Sequence, residues 1–138
     1  MSVIKRVLRV LIKGNSGYGP IDEAYKDKLT IERSGIRYDY APLVPSEGNS
    51  PLKWSYRTTN PKFECQFCRL AELMPGIFGM PDERGVTDVG SIEFTVTYGD
   101  GSKSKRLFLL TAESFPECFA IVRTMLPSFE DVPYVLRY

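Results

Sequence analysis

The sequence predicts an α+β fold in two layers: an antiparallel sheet of about six strands with two helices on one face, in the order β-β-β-β-α-β-β-α. Two segments, residues 28–43 and 91–110, alternate apolar and polar side chains on both sides of a glycine-containing turn, as β-hairpins do. Two others, residues 61–74 and 114–126, repeat apolar side chains at helical spacing and end at a proline. The length of 138 residues suits a single domain, residues 1–138, with a core of its own.

The first predicted element is a strand over residues 3–13. The apolar spacing fits both a helix and one face of a strand, and the many β-branched side chains favour the strand because they pack well on a pleated surface. Its apolar face would carry Ile4, Leu8, Val10 and Ile12. The glycine-rich run at 14–20 lacks the spacing of a phosphate-binding loop, so we predict an ordinary loop there.

The second element is a hairpin over residues 28–43 that turns on Ser34-Gly35. Its predicted register places Leu29 opposite Tyr40, Ile31 opposite Tyr38, Thr30 opposite Asp39, and Glu32 opposite Arg37. The first two pairs are apolar or aromatic and the last joins opposite charges, so each face of the hairpin has side chains that stabilise it.

A strand and a helix are predicted next. Residues 52–57 alternate apolar and polar side chains, and the only tryptophan, Trp54, lies on the apolar face. Asn60-Pro61 begins the helix, because asparagine caps the free N–H groups and proline is tolerated at the first helical position. We expect the helix to cover 61–74 and to end at Pro75-Gly76.

The hairpin over residues 91–110 is predicted to turn on Asp100-Gly101, a pair that supplies the positive φ angles of a tight turn. This register puts Phe94 opposite Leu107 on the apolar face and Arg106 on the polar face. A shift of one residue would exchange the two faces, so the assignment depends on the length of the turn.

The last predicted element is a helix that begins at residues 114–117, where SFPE has the spacing of a capping box, and ends at Pro127. Both halves of the chain then have the order hairpin, helix, proline, and QFCRLAELMP can be superposed on CFAIVRTMLP. The sequence therefore suggests the hypothesis that two ββα units form an internal pseudo-repeat.

Composition limits the expected partners and the compartment. The net charge of +1 gives no global field for collecting nucleic acid or a membrane surface, so nucleic acid is not the expected partner. The chain shows neither a secretory leader nor an apolar run of about 20 residues, and its odd count of 3 cysteines suits a reducing compartment. We expect a cytoplasmic protein, and both a monomer and a homodimer stay open.

Cys65 and Cys68 form a C-x-x-C motif near the start of the first helix. A structural zinc site needs four ligands, and with Cys118 as the third thiol and 0 histidines the thiol count stops at three. We therefore predict no metal, and no cofactor fingerprint is present. A thiol-dependent redox role for Cys65 and Cys68 is an alternative, although the βαβ context of a thioredoxin-type motif is missing.

Basic residues cluster in two places. Lys103, Lys105 and Arg106 lie together in the second hairpin, and the first strand carries Lys5, Arg6, Arg9 and Lys13. If the first strand were an edge, its charges would protect that edge from pairing with other chains. The other interpretation is a contact surface for phosphate groups, which would make binding depend on salt.

Four segments, DKLTIERSGIRYDYAPL, KWSYRTTNP, DVGSIEFTVTYGDGSK and CFAIVRTMLP, resemble a group of small, uncharacterised bacterial proteins. The resemblance covers most of the chain in the same strand–helix order. It implies a stand-alone bacterial domain with a shared fold, and it carries over no catalytic or binding residue because the group has no assigned activity.

The sequence favours a binding or protein-interaction module over an enzyme. Histidine is absent, and neither an acid–base set nor a nucleophile–base pair converges in the pattern. The expected surfaces are the exposed face of the sheet and the loops at 14–25 and 77–90. The expected partner is another protein, with the thiol redox role and binding of a nucleic acid backbone as the two alternatives.

Overall fold

A computed structural model describes residues 6–15, 24–47, 50–80, 91–108 and 115–127. Its elements are β1 (Val7–Asn15), β2 (Tyr25–Glu32), β3 (Gly35–Pro42), β4 (Leu52–Arg57), α1 (Pro61–Phe78), β5 (Ser91–Tyr98), β6 (Lys103–Phe108) and α2 (Pro116–Met125). The predicted α+β class and the order of its elements are confirmed.

The sheet has six strands in the order β4-β3-β2-β1-β5-β6, and each neighbouring pair is antiparallel. The chain starts at the middle of the sheet, moves outward from β1 to β4, and returns through α1 to place β5 on the other side of β1. Because β1 has partners on both sides, its charges do not protect a sheet edge. The edges of the described sheet are β4 and β6.

Both helices cover one face of the sheet, and the core lies between that face and the helices. Phe63 of α1 packs against Tyr56 of β4, and Phe119 of α2 packs against Phe94 of β5. The buried residues of the sheet alternate along its strands and include Val10, Ile12, Leu29, Ile31, Tyr38, Phe94 and Phe108. Each large apolar side chain buried here stabilises the fold by about 1.5–3 kcal/mol before entropic costs.

The first two strands differ from their predicted bounds. β1 continues to Asn15, two residues beyond the expected end, and β2 begins at Tyr25, three residues before the expected start. The two strands pair along these extra residues, from Lys13 opposite Lys28 to Asn15 opposite Lys26. Residues 3–5 of the predicted first strand, and 16–23 of the predicted loop, lie outside the described residues.

The predicted register of the first hairpin was wrong by two residues. The turn is Arg33-Ser34, so Leu29 lies opposite Tyr38 and Glu32 lies opposite Gly35. A shift of two leaves every side chain on its expected face. Gly35 is the first residue of β3. Glycine suits this position because an added Cβ would lie 3.1 Å from the backbone oxygen of Tyr56 on β4.

The predicted register of the second hairpin was wrong by one residue, and this error reverses the faces of β6. The loop has three residues: the N–H of Tyr98 donates to Ser102 O (2.9 Å), and the N–H of Gly101 donates to Tyr98 O (3.0 Å). Gly101 has φ +86°, the left-handed conformation that this loop type requires. As a result Phe94 lies opposite Arg106, and Leu107 points to the face away from the helices.

The first helix begins as predicted and ends later. The side chain of Asn60 accepts a hydrogen bond from the N–H of Lys62 at 2.9 Å. The helix passes through Pro75 and ends at Phe78, whereas the expected end was Met74. Pro75 lies on the exposed side of the helix. Because proline has no N–H, the helix lacks one backbone hydrogen bond there. Burial of Ile77, which continues the apolar stripe, offsets this loss.

The second helix ends before Pro127 as expected, but its start differs. The N-cap is Phe115, which makes no side-chain capping bond, and Ser114 of the predicted capping box at 114–117 lies outside the described residues. Phe115 is buried, and its ring centroid lies 5.1 Å from those of both Phe94 and Phe108. Aromatic packing therefore fixes the start of this helix.

Each half of the chain begins at a central strand, moves outward and then adds a helix. This arrangement is compatible with a ββα pseudo-repeat, and the duplication itself stays a hypothesis. Within the described ranges, no helix combines the length and the apolar character needed to cross a membrane.

Candidate functional site

The face of the sheet opposite the helices is rich in basic side chains. Its lysines and arginines are Arg9, Lys13, Lys26, Lys28, Arg37, Lys53, Arg57, Lys103 and Lys105. Its acidic residues are Glu32, Asp39 and Glu93. We call these residues and the others that share their face the open face. It holds half of the 18 basic residues of the chain and three of the 17 acidic ones, a net charge of +6 in a protein of net charge +1.

The carboxylates of the open face neutralise only part of this charge. The ion pairs are Arg9–Glu32 at 3.6 Å, Arg37–Asp39 at 3.2 Å, Lys13–Glu93 at 3.9 Å and Lys105–Glu93 at 3.6 Å. Such solvent-exposed pairs contribute about 0–1 kcal/mol each. The other cations form no ion pair with the described part of the chain: Lys26, Lys28, Lys53, Arg57 and Lys103.

The cations extend across the whole sheet. They lie on every strand except β5, from Lys53 and Arg57 on one edge strand to Lys103 and Lys105 on the other. With strands about 4.8 Å apart, the six strands span about 24 Å. The open face is therefore a broad basic surface assembled from segments that are distant in sequence.

Between the cations the open face carries short hydroxyl and amide side chains and few apolar ones. The polar residues are Asn15, Thr30, Ser55, Ser91, Thr95 and Thr97. The larger apolar residues at paired positions are Leu11 and Leu107, and Leu107 is 51% exposed; Leu8, at the irregularity between Val7 and Arg9 in β1, is 43% exposed. The described strands place neither an aromatic residue nor a methionine on this face.

The structure separates the three basic residues that the sequence groups in the second hairpin. Lys103 and Lys105 lie on the open face, whereas Arg106 lies on the helix side of β6. The guanidinium of Arg106 donates to the carbonyls of Phe78 and Met80, at 2.6 Å each, and lies 4.6 Å from the ring centroid of Phe108. Arg106 therefore holds the end of α1 against β6.

The basic residues singled out in the first strand divide in a similar way. Arg9 and Lys13 lie on the open face, and Arg6 is exposed just before β1. Lys5 lies outside the described residues. Sequence reasoning did not single out Lys26, Lys28, Lys53 or Arg57. The predicted strands included Lys28, Lys53 and Arg57 at polar positions, whereas Lys26 lay outside them. Their convergence follows from the order of the strands, which no single segment reveals.

The two thiols of the C-x-x-C motif lie on α1. Cys65 is exposed and Cys68 is half-buried. They follow the helix start at Pro61 by more than one turn, beyond the region where the free N–H groups stabilise a thiolate. Cys65 and Cys68 therefore lack the helix N-terminal position of a thioredoxin-type redox pair.

Arg33 contacts one of these thiols. Its Nη1 lies 3.8 Å from Cys68 Sγ and 3.2 Å from Glu64 Oε1, and its guanidinium lies 5.6 Å from the ring centroid of Phe67. The contacts link the β2–β3 turn to α1, which is a structural role. Cys118 is buried in α2, and burial raises the pKa of its thiol to about 12.

A buried carboxylate lies on the helix side of the sheet. Asp27 of β2 is 4% exposed, and its Oδ2 accepts a hydrogen bond of 2.8 Å from the hydroxyl of Tyr38 on the neighbouring strand. The hydrogen bond gives a partner to the Tyr38 hydroxyl and to the Oδ2 atom of Asp27, both of which lie inside the core. Within the described residues, thiols and carboxylates form no group of three that could hold a metal ion.

Comparison with protein-family models finds none that matches the chain, and a search of curated proteins finds no significant match. The function is therefore inferred from the geometry and charge of the open face.

Proposed function

We propose that this protein is a binding protein whose open face holds a polyanionic partner by electrostatic attraction. The observation that carries the proposal is the separation of charge: the open face has a net charge of +6 within a chain of net charge +1. Of the described acidic residues outside the open face, Glu64 and Glu72 lie on α1, Glu117 lies on α2, and Asp27 is buried on the helix side of the sheet. These four carboxylates therefore do not oppose an anion on the open face.

Screening makes the local charge more important than the net charge. At 0.1 M salt the Debye length is about 10 Å, so an anion on the open face interacts mainly with side chains within that distance. The cations of neighbouring strands are closer to one another than this, and several act on the same anion. Charges on the far side of the helices are largely screened.

A second feature argues that the charge is not merely a solvated surface. Lys13 and Lys28 lie directly opposite each other on β1 and β2, and like charges in that position destabilise a sheet. Lys26 follows on the same face of β2. Asp39 lies opposite Lys28 on β3 and Glu93 lies opposite Lys13 on β5, whereas the two residues opposite Lys26 are Asn15 and Ala41. The positive charge is therefore least compensated around Lys26, which supports a role in binding.

The test is a panel of four anionic probes: heparin, a nucleic acid duplex of about 20 base pairs, poly-L-glutamate and phosphatidylserine vesicles. We expect at least one probe to bind at about 50 mM salt, with an affinity that falls as salt rises. The double variant Lys13→Gln/Lys28→Gln should weaken that binding while the free energy of unfolding changes by less than about 1 kcal/mol, because the variant removes both the Lys13–Lys28 repulsion and the exposed Lys13–Glu93 ion pair.

The matched control is Lys62→Gln/Arg69→Gln, which removes two exposed positive charges from α1 on the other side of the molecule. It should leave binding unchanged. Absence of binding to all four probes, or an equal loss in both double variants, would contradict the proposed function.

A further inference from the structure

We infer that the polyanion is a double-stranded nucleic acid, held through its phosphates without recognition of base sequence. This inference rests on the proposed function and specifies the partner of the open face. It depends on three properties of that face: the type of its cations, the side chains between them, and its width.

The cations are mainly lysines. Six of them are lysine, namely Lys13, Lys26, Lys28, Lys53, Lys103 and Lys105. Protein–protein interfaces are depleted in lysine and enriched in aromatic residues and methionine, which the described strands do not place on this face. Lysine, together with arginine, binds the phosphates of nucleic acids, and lysine does so as a point charge without the paired hydrogen bonds that arginine makes. The composition therefore favours a phosphate backbone over an acidic protein.

The side chains between the cations are suited to the same ligand. Thr30 lies beside Arg37 on the neighbouring strand and Thr97 lies beside Lys103, whereas the hydroxyl oxygen of Thr95 is buried. Threonine and serine hydroxyls, together with lysine and arginine, make most of the hydrogen bonds to phosphate in complexes with nucleic acids. A phosphate placed over these pairs would meet a cation and a hydroxyl donor together.

A duplex fits the open face better than a single strand does. Proteins that bind single strands stack the bases on aromatic side chains, and the open face offers none among the described strands. In a duplex the bases are already stacked and the phosphates form the outer surface. Contacts to phosphate alone position a protein but carry no sequence information, so we expect binding without sequence preference.

The width of the face suits contacts on both sides of a groove. The two edge strands, with Lys53 on β4 and Lys103 on β6, are about 24 Å apart. The minor and major grooves of a B-form duplex are about 6 Å and 12 Å wide. The open face is wider than either groove, so its cations on separate strands can contact phosphates on both sides of one groove, and we expect both edges to contribute to binding.

The test measures binding of fluorescently labelled DNA and RNA duplexes of about 20 base pairs by anisotropy, between about 50 and 200 mM salt. If the five cations without an ion pair each contact one phosphate, the slope of log K against log salt is about −4.5, an affinity loss of about 500-fold over that range. Two duplexes of unrelated sequence should bind within about twofold of each other, and the matching single strand more weakly.

Single-charge variants locate the contacts. Lys53→Gln and Lys103→Gln should each reduce the salt slope by about 0.9, because each removes one phosphate contact at opposite edges of the sheet. Lys62→Gln on α1 is the control and should leave the slope unchanged. The side chains of all three lysines are exposed, so the three variants should retain the wild-type urea midpoint, which a parallel denaturation experiment checks.

The remaining outcomes separate the two proposals. Binding of poly-L-glutamate or phosphatidylserine vesicles with no binding of either duplex would overturn the nucleic acid inference and leave the proposed function intact. Tighter binding of the single strand than of the duplex would also overturn it. If no anionic probe binds, both proposals are contradicted.

Discussion

Lys105 and Arg106 are neighbours in the chain and have different roles because they lie on opposite faces of β6. Lys105 is exposed on the open face and forms a solvent-screened pair with Glu93. Arg106 points to the helix side and donates two short hydrogen bonds to carbonyls at the end of α1. The first residue contributes charge to the candidate site, and the second contributes stability to the fold.

This difference predicts unequal effects of alanine at the two positions. Arg106→Ala removes two charge-assisted hydrogen bonds and a contact with the ring of Phe108, and should lower the free energy of unfolding by about 2–3 kcal/mol. Lys105→Ala should change it by less than about 0.5 kcal/mol, because its ion pair is exposed. Urea denaturation measures both values. Equal losses would show that the contacts of Arg106 are not formed as described.

At the scale of single elements, the loop of the β5–β6 hairpin decides which residues face solvent. The alternation of apolar and polar residues predicts both strands, and it fits nearly as well with a two-residue as with a three-residue loop. The longer loop buries Phe108 against Phe94 and Phe115 and leaves Leu107 exposed. Packing of the aromatic cluster, which involves α2, selects this register, so the hairpin sequence alone does not determine it.

The loop predicts a difference between its two glycines. Gly101→Ala forces alanine into φ +86° and should destabilise the protein by about 1–2 kcal/mol. Gly99→Ala is the matched control: its φ is not positive, an added Cβ would be 3.7 Å from Arg6 O, and the change should be neutral or stabilise by up to about 1 kcal/mol. Thermal or urea unfolding compares the two variants, and similar effects would argue against the three-residue loop.

The helices show which boundaries depend on distant contacts. Asn60 and Pro61 predict the start of α1 because capping is a local interaction. Its end at Phe78 depends on the burial of Ile77 and on the contact from Arg106, both of which come from the sheet. Local signals accordingly predict where α1 begins, and tertiary packing extends it beyond Pro75.

At the scale of the whole molecule, the order of the strands creates the candidate site. The lysines of β1, β2 and β4 each occupy the polar positions of an amphipathic strand, and each strand by itself is an ordinary surface strand. When β1 occupies the centre of the sheet and all strands present the same side, these residues form one basic surface. The sequence predicts the fold class and the elements, whereas the strand order that assembles the site depends on long-range pairing.

The most direct measurement of the central claim follows the lysine Cε–Hε signals of the protein by NMR while an unlabelled duplex of about 20 base pairs is added at about 50 mM salt. The open face holds Lys13, Lys26, Lys28, Lys53, Lys103 and Lys105. We predict that the signals of these lysines shift together and that the signal of Lys62 on α1 stays unchanged. Shifts at Lys62 without shifts on the open face, or no shifts at all, would contradict the claim that the open face binds a phosphate backbone.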